Sequence, residues 1–269
     1  MAYKVHPYQW PTIGKCVEQI EEATLQTILD FYHRFYAPNN AILSIAGNIS
    51  AEQAFALSEK WFGPIPTRHV VPRALPQEEP QQHIRRKTVH RDVPTDLLVM
   101  TFHMPDRRAK DYYTCDLITD LLGNGYSSRL TRKLVHEKHL FSTIDSYIQG
   151  SMEPGLLFII GRLAEGVSFK EGEEAVWNEL RMLKEKKVNK VEFDKVCNRS
   201  ESERVFNNIN YLNRAMNMAM LEYVGKDKEL EDELEHYRSV NTEDIQRVAR
   251  QLFRKPNSCI LYYARKEDK

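Results

Sequence analysis

Two stretches, Phe35-Tyr-Ala-Pro-Asn-Asn-Ala-Ile-Leu-Ser-Ile-Ala46 and Phe253-Arg-Lys-Pro-Asn-Ser-Cys-Ile-Leu-Tyr-Tyr-Ala264, decide the fold, because they are versions of one unit near opposite ends of a 269-residue chain. Laying Thr24 on Thr242, an offset of 218, gives seven identities in 23 positions, six of them within residues 35–46. Each copy reads as an amphipathic helix, a proline stop and a short apolar strand. In the first, Leu25, Ile28, Leu29, Tyr32 and Phe35 supply the helical period and Asn40–Gly47 reads as a buried strand. At this offset the helix faces agree poorly, since Ile28 and Leu29 fall opposite Gln246 and Arg247.

A unit that closes twice, about 220 residues apart, describes a duplicated domain. The second copy is nearly whole and the first has only its tail. The expectation is therefore that some 150 or more residues of the first half lie upstream of Met1. Between the halves, Pro64, Pro66, Pro72, Pro76 and Pro80 remove donors and disfavour helix, which predicts an extended linker. The division is 1–63 as the tail of a first half-domain, 64–82 as linker and 83–269 as a complete second half-domain.

Elsewhere in the chain, Ser50-Ala-Glu-Gln53 is a capping box opening a helix to about Trp61. Strands are predicted at Ile84–Arg91, Asp96–Met104, Phe141–Gln149, Gly155–Leu163 and Asn257–Ala264. Helices are predicted at Ala109–Leu122, Ser127–Lys138, Glu171–Lys187, Lys190–Tyr223, Lys228–Tyr237 and Thr242–Phe253. Glu171, Glu173 and Glu174 are read as first-turn charges favoured by the helix dipole. Strand pairs followed by runs of helices define α+β rather than a doubly wound sheet.

Composition narrows the function. Lys plus Arg and Asp plus Glu are both 38, so the net charge is zero, which argues against nucleic acid as a partner. No apolar run is long enough to span a bilayer. Cys16, Cys115, Cys197 and Cys259 have no metal or disulfide spacing and read as buried thiols. Met216, Met218 and Met220 read as core filler. His136-Glu137-Lys138-His139 falls short of H-E-x-x-H, because the fourth position after His136 is Leu140, and reads as a solvated helix end. Gly123-Asn124-Gly125-Tyr126-Ser127-Ser128-Arg129 is a glycine turn before a helix start, able to hold an anion or peptide carboxylate, with an ordinary capped turn as the plainer reading. Taken alone, these residues supply no catalytic set.

Several segments carry a resemblance: His6-Pro-Tyr-x-x-Pro-x-Ile-Gly14, Phe31-Tyr-x-x-Phe-Tyr-Ala-Pro-Asn-Asn-Ala41 running to Gly47-Asn48, Trp61-Phe-Gly-Pro64, and Leu121-Leu-Gly-x-Gly-x-Ser-Ser-Arg-Leu130. The chain resembles the pitrilysin/insulinase family of zinc metallopeptidases over essentially its whole length. The resemblance implies two similar antiparallel-rich α+β halves packed by helices, with the first truncated here. It implies zinc held in the parent protein by an inverted H-x-x-E-H motif and a distant glutamate, upstream of the His-Pro-Tyr loop and outside this chain. The family's substrate-holding Arg and Tyr would fall at Val135 and Ser142, which cannot do that job. The resemblance thus implies the C-terminal region of a peptidase that degrades or processes peptides in an enclosed chamber, inactive alone. The alternative is a non-catalytic peptide-binding or structural subunit of a heteromeric peptidase. The expected partners are a peptide substrate, met by Gly123, Asn124, Gly125, Ser127, Ser128 and Arg129, and the absent N-terminal half or a homologous subunit. The residues favour neither cytoplasm nor periplasm.

Overall fold

The computed structural model describes residues 1–70, 74–225 and 230–266. They divide into two compact units: Met1–Ala2 with 79–204 and 231–269, and Tyr3–Glu78 with Val205–Leu230.

The first unit is built on a five-stranded sheet in the order β1-β5-β2-β4-β3, with β1 Arg85–Arg91, β2 Leu97–His103, β3 Phe141–Gln149, β4 Leu156–Leu163 and β5 Ser258–Arg265. Only the β1–β5 pair is parallel. Central β2 alternates Leu98, Met100 and Phe102 inward, and Met100 stands opposite Ile159 of β4 and Ile260 of β5. These side chains form a core with helices α4 (Asp111–Leu122), α5 (Phe169–Glu185) and α9 (Thr242–Leu252). The α+β expectation holds, and the five strands fall within a residue of their predicted bounds.

Several readings change. Glu173 does not lie in the first turn of its helix. Ser168 caps α5, and Glu173 is buried, bonded by Arg86, Trp177 and Tyr262. The helical stretch 190–223 is two helices, α6 (Lys190–Asn207) and α7 (Tyr211–Val224), because the Asn210 side chain accepts the Leu212 and Asn213 amides and so starts a new N-terminus. Cys16 is exposed on a loop, unlike buried Cys115 and Cys259 and partly buried Cys197. Met216, Met218 and Met220 are exposed too, since spacing alone does not say whether a helix face has anything to pack on.

In the second unit, α1 is Glu18–Glu21, α2 is Leu25–Phe35 and α3 is Ala51–Phe62, the last opened by the expected capping box. The Glu78 carboxylate accepts the backbone amides of Lys4, Val5 and His6 at 2.8–3.1 Å, fixing the His-Pro-Tyr loop. Residues 66–70 and 74–84 hold no regular element; Pro72 lies outside the described residues, as does Lys228, where α8 (Leu230–Arg238) was expected to begin.

Hydrogen bonding also corrects the repeat. Thr24 caps α2 by accepting the Thr27 amide, and Asn241 caps α9 by accepting the Asp244 amide. Asn40 Nδ2 donates to the Phe35 carbonyl at 2.8 Å, and Asn257 Nδ2 to the Leu252 carbonyl at 2.9 Å. All these equivalences have an offset of 217. The identities at 218 are therefore displaced by one residue from the structural correspondence, which pairs Ile28 with Ile245, Phe31 with Val248 and Leu43 with Ile260. That resolves the mismatch at Ile28. Leu29 falls opposite Gln246, whose amide reaches the Lys184 carbonyl in the last turn of α5.

Equivalent positions have opposite burial. Ile245, Val248 and Ile260 are 0–1% exposed, whereas Ile28, Phe31 and Leu43 are 55–56% exposed. Residues 41–46, expected as a buried strand, form none: among the described residues no strand runs beside them to take their backbone bonds.

Candidate functional site

The turn after α4 is set by close contacts at its two glycines. The Gly123 amide bonds the Thr119 carbonyl and ends α4, and a Cβ at Gly123 would stand 2.1 Å from the Ser146 amide nitrogen of β3. Gly125 has φ +94°, and a Cβ there would stand 2.0 Å from Arg199 Nη1. The turn is thus pressed against β3 on one side and α6 on the other. Beyond it the chain enters a π-helix, Thr131–Glu137, rather than the expected ordinary helix from Ser127.

The structure gathers five of the six singled-out residues into one bonded group and places Gly123 at its base. Asn124 Nδ2 donates to Asp120 at 2.8 Å, while the Asn124 backbone and side-chain oxygens accept from Arg199 at 2.8 and 2.7 Å. The Ser128 amide bonds the Gly125 carbonyl, and its buried hydroxyl reaches Thr131 at 2.9 Å. Ser127 Oγ accepts from Lys195 at 2.9 Å. Arg129 makes a two-pronged pair with Glu192, at 2.8 and 2.7 Å. Between turn and α6 lies a cleft of about 50 Å³ lined by Asp120, Asn124, Ser127, Glu192, Lys195 and Arg199. Tyr126 projects outward, its ring against His136 with centroids 4.1 Å apart.

Sequence reasoning missed the three α6 residues, although their i, i+3, i+7 spacing places them on one helix face. It treated the stretch only as helix.

Two carboxylates here titrate unusually. The Arg129 guanidinium beside Glu192 holds its carboxyl below the usual range. Burial, aided by nearby Asp116 and Glu203, pushes the Asp120 carboxyl up to about 6 despite its bond from Asn124. A carboxyl raised on folding adds stability that is fully present below its unfolded pKa of about 4 and lost as pH rises through the folded value. Asp120→Asn keeps the acceptor for Asn124 without the charge. It is expected to raise stability by about 1–2 kcal/mol at pH 8, and by little near pH 4. Chemical denaturation at both pH values checks this, and equal effects at both would contradict it.

The residues present do not suit a catalytic zinc. Glu137 is paired with Lys133 at 2.8 Å, His136 packs on Tyr126, and among the described residues no three His, Cys, Asp or Glu side chains are grouped to hold a metal. Val135 packs against the core, and Ser142 Oγ donates to the Arg162 carbonyl. Neither provides a guanidinium or phenol.

The first unit is an α+β fold, a five-stranded and mostly antiparallel sheet packed by helices, with the bonded turn following α4. The sequence profile described as "Peptidase M16 inactive domain" matches residues 22–200, and the chain belongs to that family. It is 28% identical over 269 residues to "Zinc protease PqqE" of Helicobacter pylori, covering 97% of this chain and 59% of that protein. It is 24% identical over 255 residues to "Uncharacterized zinc protease YmxG" of Bacillus subtilis, covering 93% and 60%. The crystal structure of a protease from Helicobacter pylori superposes with a TM-score of 0.88 at 25% identity, over 99% of this chain and 64% of that one. The chain thus spans about three fifths of the length of these two relatives.

Proposed function

We propose that this chain is the C-terminal region of a zinc-dependent peptidase: residues 1–63 are the tail of its first half-domain, 64–82 the linker and 83–269 its second half-domain. The zinc and the water-activating glutamate belong to the upstream half. This region serves as the opposing wall of a chamber in which peptides are held and cut.

The observation that carries the reading is the contrast between the two copies of the repeat. In the second copy, α9 and β5 are buried by β1, β2, α4 and α5. The first copy has the same caps and bonds, yet its apolar positions are open. A half of equal build would cover them, offering two strands beside residues 41–46 and helices against α2. Support also comes from the names of the curated relatives, both zinc proteases, and from their greater length. The sheet face opposite the core helices carries half-buried Val99, Phe158, Ile160 and Leu261 and exposed Tyr147, an apolar surface suited to a chamber wall. The Gly123–Arg129 turn, with Tyr126 outermost, faces the peptide.

The structural part is tested by paired truncations. In this chain alone, Ile260→Ala is expected to cost about 2–3 kcal/mol and Leu43→Ala close to nothing. In the full-length gene product, Leu43→Ala should become as costly as Ile260→Ala. A Leu43→Ala effect equally small in both proteins would refute the missing-half account. Val135 and Ser142, in place of the substrate-holding pair, suit a silent subunit as well as a zinc-bearing chain. Zinc content of the full-length protein separates the two.

A further inference from the structure

We infer that Glu192, Lys195 and Arg199 of α6 are positioning residues, which hold the Gly123–Arg129 turn in the one shape that meets peptide. The inference rests on the peptidase reading and adds residues to it. Each of the three grips a different part of the turn. Arg199 bonds both oxygens of Asn124 and fills the space that a Cβ at Gly125 would need. Lys195 takes the Ser127 hydroxyl, and Glu192 fixes Arg129 through two parallel bonds. Arg199 is itself braced by Glu203 one helical turn on, at 2.7 Å.

The turn does little to hold itself. Within it there is one backbone bond, Ser128 to Gly125, and Gly125 adopts a left-handed conformation that restricts nothing by itself. Beyond β3 against Gly123 and the bond from Asn124 to Asp120 of α4, what grips it comes from α6. Arg129 is therefore a strut rather than a free cation awaiting a carboxylate. The groups left facing outward are Tyr126 and the edges of Asn124 and Ser127, so the turn offers an aromatic surface and neutral polar groups.

The test uses Arg199→Met, which keeps the apolar stem and removes the bonds, and the reversed pair Arg129→Glu with Glu192→Arg. Amide hydrogen exchange of residues 124–128 in this chain should speed up about tenfold in Arg199→Met and in either single reversal, and return in the double reversal. In the full-length protein, the same loosened variants should raise KM for a fluorogenic peptide about five- to tenfold with kcat changed less than twofold, and the double reversal should restore KM. Unchanged exchange, or faster exchange with unmoved KM, would overturn the inference. Lack of zinc-dependent cleavage by the wild-type full-length protein would instead refute the peptidase reading beneath it.

Discussion

Phe102→Ala is expected to lower the stability of the sheet-bearing unit by about 3–5 kcal/mol. Phe102 is fully buried on the central strand β2. Its ring meets Trp177 of α5 and Phe253 after α9 edge to face, with centroids 5.6 and 5.0 Å apart. One side chain thus joins the sheet to both helices that cover it. Truncation removes the buried area, leaves a cavity the rigid sheet cannot close, and forfeits two favourable aromatic pairs. Thermal unfolding should shift down by about 10 °C. Phe102→Leu should recover a large share of the loss. A drop under about 1 kcal/mol for alanine would mean that α5 and the end of α9 are not packed on β2 as described.

The second large effect comes from polar burial. Asp116 of α4 accepts from Arg204 of α6 and from the Tyr237 hydroxyl of α8, each at 2.7 Å, while the Arg204 guanidinium lies 3.7 Å from the Tyr237 ring centroid. Burial and the neighbouring Asp116 keep the Tyr237 phenol well above its ordinary pKa. Asp116→Ala strands a guanidinium and a hydroxyl that water can only partly reach. With about a quarter of both charged side chains exposed, the expected cost is near 3 kcal/mol, the low end for broken buried pairs. Adding Arg204→Met should recover part of that stability, because the stranded charge is gone. Urea titration of both variants checks this. An additive double variant would show that the pair is not coupled.

Much of the fold was legible because its strongest signals are local. Alternation in Leu98, Met100 and Phe102, the capping box at Ser50 and Gln53, and the glycines after Leu122 each need only a few residues to be read. The misreadings concern what lies across space. Asn40–Gly47 has a strand's composition, but a strand also needs neighbours. Met216, Met218 and Met220 have a core helix's composition, yet among the described residues they stay exposed. The repeat was legible as a repeat, yet its identities favoured a register one residue away from the one that the caps of Thr24 and Asn241 impose. At the turn, its glycines and serines were visible in the sequence; its partners Glu192, Lys195 and Arg199, more than sixty residues away, were not.

On the proposed reading, the chemistry resides upstream of the residues described and this region completes the chamber. The most direct test measures bound zinc and cleavage of a fluorogenic peptide by this chain alone and by the full-length gene product, before and after chelation. The account predicts metal and chelator-sensitive cleavage in the full-length protein and neither in this chain. Metal-dependent cleavage by this chain alone, or a full-length protein with neither zinc nor activity, would contradict it.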